Sequence, residues 1–92
     1  MAKIVDNPNG FKVIRLSLKD RESLNFGDKC DVCGDYKKLH MYYIAALNNC
    51  VCKDCYDDIV DNTYHENDPD SIKYENRNFD YYANQLGLIN GK

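Results

Sequence analysis

Ninety-two residues, 43% of them hydrophobic and carrying a formal charge of −3, set the bounds of one domain near the lower limit of unaided folding. Eight of the hydrophobic residues are tyrosines, tryptophan is absent and phenylalanine contributes three, so the apolar core is thin. No run approaches the roughly 18 apolar residues of a membrane span, and the first residues lack an apolar stretch ending in a cleavage site, so we expect a cytoplasmic protein whose cysteines stay reduced.

Asn7-Pro8-Asn9-Gly10 reads as a turn, and the β-branched and aromatic residues that follow read as a strand ending near Leu16. Ser17 with Asp20 three residues later is an N-cap signal for a short helix over 18–24. Residues 25–28 then turn the chain into Cys30-Asp31-Val32-Cys33, and Gly34 can take the positive φ that lets backbone amides fold back towards sulfur. The run 39–47 reads as a strand, Asn48-Asn49 as a hairpin turn, and Cys50-Val51-Cys52 as the returning strand. A helix follows from Cys55, with Tyr56, Ile59 and Val60 at helical spacing and acids in its first turn. The last element, 68–87, is a helix opened by Asp68-Pro69, with Ile72, Phe79, Tyr82, Ala83 and Leu86 on one face and Gly87 as its stop.

The chemistry lies in the cysteines. Two Cys-x-x-Cys pairs, Cys30/Cys33 and Cys52/Cys55, are separated by 18 residues, the spacing of a tetrahedral four-sulfur zinc site. Structural zinc supplies on the order of 10 kcal/mol, comparable to the whole stability of a small domain. Cys50, two residues from Cys52, could exchange for a ligand, but a buried position beside the site is the preferred reading. His40 could complete a Cys₃His site, but with four cysteines at hand it is read as a strand residue. His65, in a polar stretch, is expected at the surface. Four cysteines close the coordination sphere, and there is no His-x-Glu signature, Gly-rich phosphate loop or Ser-His-Asp spacing, so neither an enzyme nor a small-molecule substrate is expected.

The order of cysteine turn, hairpin, second cysteine pair and helix resembles the treble-clef zinc fingers, over roughly residues 28–64. That resemblance implies that Lys29-Cys30-Asp31-Val32-Cys33-Gly34 forms a zinc knuckle and that Val51-Cys52-Lys53-Asp54-Cys55-Tyr56 starts a helix. More loosely, the string from Gly10 to Phe79 looks like small uncharacterised zinc-finger proteins of gut bacteria and their phages. The expected fold is therefore α+β: a small zinc-stabilised treble-clef-like domain (knuckle, β-hairpin, helix) with an N-terminal strand and a C-terminal helix. We expect one domain over 1–92, with the zinc-binding core at 28–64.

Charge narrows the class of partner. Four ligand thiolates add four negative charges and zinc two positive, taking −3 to −5, and residues 54–80 hold nine acids against Lys73 and Arg77. Such a surface repels nucleic acid and suits a protein partner, including one with a basic, nucleic-acid-binding surface. The candidate contact residues are Asp54, Asp57, Asp58 and Asp61 with Tyr42 and Tyr81; the default reading of the tyrosines is core packing, the alternative being that one of each adjacent pair faces outward, for the strand pair unless both sheet faces are covered. A specific version is a phage or mobile-element accessory protein that inhibits or regulates a host protein, with an anti-CRISPR-like role by analogy of size and charge. The rival is a nucleic-acid-binding finger using Lys29, Lys37, Lys38 and Lys53.

Overall fold

The computed structural model describes residues 2–7, 9–27, 29–35, 40–65 and 67–88. Four short strands, β1 (Lys3–Val5), β2 (Val13–Leu16), β3 (Met41–Ile44) and β4 (Asn49–Val51), form one antiparallel sheet in the order β1-β2-β3-β4. Among the described residues three helices join it: α1 (Leu18–Ser23), α2 (Lys53–Asn62) and α3 (Pro69–Gln85). The fold is α+β. Among the described residues, no helix is long and apolar enough to cross a membrane.

Strand pairing sorts the side chains into two faces. Ile14 and Leu16 of β2 lie opposite Tyr43 and Met41 of β3, while Val13 and Arg15 lie opposite Ile44 and Tyr42. On the first face Tyr43 meets Phe26 and Tyr82 of α3, with ring centroids 5.6 and 4.8 Å away. On the second, Tyr42 stacks on Tyr56 of α2 at 4.5 Å with the rings 12° apart. Every residue of β3 is therefore buried, as in a central strand covered on both sides. The fully buried Tyr43 donates its hydroxyl to Asn48 Oδ1 at 2.6 Å, the partner that a core tyrosine needs. Tyr42 is only 9% exposed, which corrects the expectation that it faces a partner. Its ring is the platform on which α2 rests.

The caps read from sequence are present. Ser17 and Asp20 close a capping box on α1, the Ser17 side chain accepting from the Asp20 amide and the Asp20 carboxylate from the Ser17 amide. Asp68 caps α3 by accepting from the Ser71 amide, with Pro69 in the first turn. Other boundaries shift. The hairpin turn occupies residues 45–48, with Asn48 at φ +54° and Asn49 already in β4. Helix α2 begins at Lys53, not Cys55, so Cys52 is its N-cap and Cys55 lies in its first turn. β1 was not expected at all; it is a three-residue edge strand with Lys3 and Ile4 exposed.

Two buried polar groups were also unforeseen. Arg21 of α1 is fully buried and donates from Nη1 to the Leu16 carbonyl at 3.1 Å. Glu75 of α3 is 3% exposed and accepts from the Lys12 amide (2.9 Å) and from His65 Nε2 (2.9 Å). His65 is therefore half-buried, its ring edge-on to Phe11 at 4.8 Å, which corrects its expected surface position. Glu75 pins the loop before β2 and the α2–α3 connection to one carboxylate, while Ile72, expected in the core, sits exposed at the rim.

Replacing Glu75 with alanine leaves the Lys12 amide and the His65 ring without their acceptor, and we expect a loss of about 2 kcal/mol of stability, the penalty typical of orphaned buried donors. Urea unfolding checks this, and an unchanged midpoint would show that the carboxylate holds nothing together.

Candidate metal centre

The first cysteine pair sits on a tight turn that folds its own amides onto sulfur. Gly34 at φ +79° allows its N–H to reach the Cys30 carbonyl (3.0 Å), while the Cys30 amide donates to the Asp35 carbonyl (2.9 Å). The amides of Val32 (3.4 Å) and Cys33 (3.5 Å) then point at Cys30 Sγ. A third donor, the Cys52 amide at the N-cap of α2, reaches the same sulfur at 3.4 Å. The loop is strapped to β4 by Asp31, whose carboxylate accepts from the Cys50 amide (2.8 Å) and whose amide donates to the Cys50 carbonyl (3.0 Å). In the sequence Asp31 stands out only as a member of the Cys30–Cys33 turn. Its spacing from Cys50 carried no signal, because the pairing is between a loop and a strand.

These elements bring Cys30, Cys33, Cys52 and Cys55 together with all four Sγ atoms within 4.8 Å of one another. Cys33 and Cys52 Sγ are 3.9 Å apart, far from the roughly 2.05 Å of a disulfide. A tetrahedron with Zn–S bonds of about 2.3 Å places its sulfurs about 3.8 Å apart. The four cysteines are thus placed to bind a metal ion, and an all-sulfur donor set of this size fits structural zinc. Cys30 and Cys52 are buried, Cys55 half-buried and Cys33 exposed.

The electrostatics show why a cation suits the site. Burial pushes Cys30 up, but the three amides from Cys33, Cys52 and Val32 outweigh it and hold the thiol at about 6. Burial and then the neighbouring thiols of Cys52, Cys30 and Cys33 push Cys55 well above the usual thiol range. The Asp35 backbone lowers Cys33, yet its contacts with Cys30 and Cys52 leave it raised. One thiolate forms readily and then opposes the ionisation of its neighbours. A dication at the centre removes that opposition.

Cys50 is the free thiol next door. It is buried and stands outside the cluster of four, and burial pushes it up to about 12 against the pull of the Arg21 guanidinium. It is a protonated, apolar filler under the sheet. His40 is exposed and also lies outside the cluster.

The expected contact acids lie along α2. Asp54, Asp57, Asp58 and Asp61 are all exposed, Asp57 paired with Lys53 at 2.7 Å. Asp58 Oδ1 accepts from Asn62 Nδ2 at 2.9 Å. Tyr81 is 58% exposed and edge-on to Tyr82 (4.9 Å), so it stands free on α3. Of the four lysines of the nucleic-acid reading, Lys29 is exposed, Lys53 is neutralised by Asp57, and Lys37 and Lys38 fall outside the described residues.

Comparison of the chain with protein-family models, curated proteins and solved structures gives no match, so function is read from the geometry of the chain itself.

Adding zinc to metal-free protein at neutral pH is expected to saturate at one equivalent per chain, with the far-UV circular dichroism signal of the folded domain appearing over the same titration. Saturation at another ratio, or a folded signal already complete before zinc is added, would show that the metal does not hold the domain together. Cys50→Ala should keep the metal, losing about 1–2 kcal/mol of packing, whereas Cys52→Ser should lose metal and fold together.

Proposed function

We propose that this chain is a zinc-stabilised, non-catalytic protein-interaction module of treble-clef type, working in a compartment that keeps thiols reduced. The observation that carries the reading is the closed sulfur cluster at the start of an acidic helix: four donors within 4.8 Å fill a tetrahedral sphere and leave no position for a substrate. Bound zinc would cross-link the Cys30 turn to α2 and neutralise the thiolates. The treble-clef assignment is supported by the order of cysteine turn, β3–β4 hairpin, Cys52 at the helix N-cap and Cys55 in its first turn. In this reading residues 28–64 form the metal-binding core of a single domain, and the helix at 68–87 braces the sheet.

The partner class follows from charge. Asp58 and Asp61 occupy the second half of α2, Asp61 in its last turn, where the helix dipole disfavours anions and no basic residue offsets it. With the exposed Asp54 and Asp57 they give α2 an acidic surface, and a basic protein surface is the complement. The finer version, an accessory protein of a phage or mobile element that occupies a basic groove of a host protein, rests on size, acidity and sequence resemblance.

The test compares zinc-loaded protein with the triple variant Asp57→Asn, Asp58→Asn, Asp61→Asn, as baits in the same lysate at about 0.15 M salt, where the Debye length is about 8 Å. A basic protein retained by the first and lost by about tenfold or more with the second supports the reading, since each exposed pair is worth up to about 1 kcal/mol. Bare duplex or single-stranded DNA should not shift on a gel. A shift abolished by Lys37→Glu and Lys38→Glu would replace protein binding with nucleic-acid binding.

A further inference from the structure

Away from the cysteines, two cavities open side by side where the β3–β4 turn, the α2–α3 connection and the first half of α3 meet. The smaller, about 240 Å³, has Phe11, Leu47, Tyr64 and Tyr74 among its apolar walls, with Asp70, Glu75 and His65 as its polar groups. The larger, about 800 Å³, is a shallow depression that shares Tyr64 and His65 and adds Asp61. Neither is lined by a lysine or an arginine among the described residues. The smaller one holds several times the roughly 30 Å³ of a water molecule, so it has room for a side chain.

Its surfaces are of two kinds. Leu47, Tyr64 and Tyr74 are three of the seven exposed large hydrophobic residues among the described residues, and all three converge here, Tyr64 being 75% exposed. Beneath them lies the buried Glu75 carboxylate, each oxygen taking one donor, from His65 and from Lys12, which leaves acceptor capacity. Asp70 adds a second carboxylate. Two neighbouring cations are engaged elsewhere: the Lys12 ammonium lies over the Phe79 ring at 5.3 Å, and Arg77 lies over Tyr74 at 5.7 Å without lining the cavity. That second contact shows the Tyr74 ring already serving as a cation platform. In the smaller cavity an anion would face Asp70 and Glu75, and a neutral apolar group would leave their field unanswered. A long stem with a positive head matches both surfaces, the stem against Leu47 and the rings and the head beside the carboxylates.

We infer that this cavity takes the lysine or arginine side chain of a basic segment in a partner protein. The inference rests on the protein-interaction reading above and adds to the exposed acids of α2 a second point of anchorage, this aromatic and acidic pocket.

The test is an amide NMR titration of zinc-loaded protein with three blocked tripeptides that carry lysine, arginine or norleucine between two alanines. The cationic peptides should give saturable shifts centred on Leu47, His65 and Tyr74, with a dissociation constant on the order of 1 mM, and norleucine should bind at least about tenfold more weakly. Tyr74→Ala and Asp70→Asn, both at exposed positions, should each weaken the lysine peptide several-fold, while Asp57→Asn should not. Equal binding of norleucine, shifts spread along α2 instead, or no saturation at about ten times that concentration would overturn the assignment. If the peptides fail while lysate capture still depends on the α2 acids, only the pocket is lost; if capture fails while the peptides bind, the pocket stands and the partner reading falls.

Discussion

Four sulfurs held within 4.8 Å of one another are the constraint on which the rest of this structure depends. Metal-free, the cluster opposes itself: amides draw Cys30 down to about 6, while its neighbours resist ionising. The turn at Gly34, the strap from Asp31 to β4 and the N-terminus of α2 all converge on this point. With a bound dication the repulsion becomes a cross-link joining a loop, a hairpin and a helix. Without it, those elements are joined by a few hydrogen bonds and by aromatic contacts.

The aromatic contacts explain the unusual composition. A sheet of three- and four-residue strands offers little area, and β3 is covered on both faces by rings, Tyr56 on one and Phe26 with Tyr82 on the other. Tyrosine suits such a layer because its ring supplies area while its hydroxyl finds a partner near the edge, as Tyr43 does at Asn48. Helix α2 thus has two anchors, the Tyr42–Tyr56 stack and the cysteines at its start. Both hold a helix whose last turn carries Asp61 and no basic residue to offset the dipole.

Much of this was legible in the sequence where a local rule decides the outcome. The Ser17–Asp20 box, the Asp68-Pro69 cap, the Gly87 stop and the edge position of Tyr81 are each set by residues within a few positions of one another, and the two cysteine pairs, though 18 residues apart, follow the known spacing of a four-sulfur site. The misses share a different origin. Tyr42 was a candidate contact because strand alternation turns one of two neighbours outward, and only the placement of α2 over that face reverses it. Glu75 and His65 read as surface polar residues, since neither shows that the other, ten positions away, completes a buried pair. β1 has no pattern of its own and exists because β2 offers an edge. Helix α2 starts two residues early, with Cys52 at the N-cap position, where its side chain makes no capping hydrogen bond that the sequence could have announced.

The account as a whole stands on the identity and number of the metal's ligands. X-ray absorption at the zinc edge, on protein purified without added metal, reads both at once. Four sulfurs at about 2.3 Å with no lighter scatterer in the first shell is the expected result. A shell containing nitrogen or oxygen, or a folded protein without zinc whose cysteines are joined in disulfides, would contradict it.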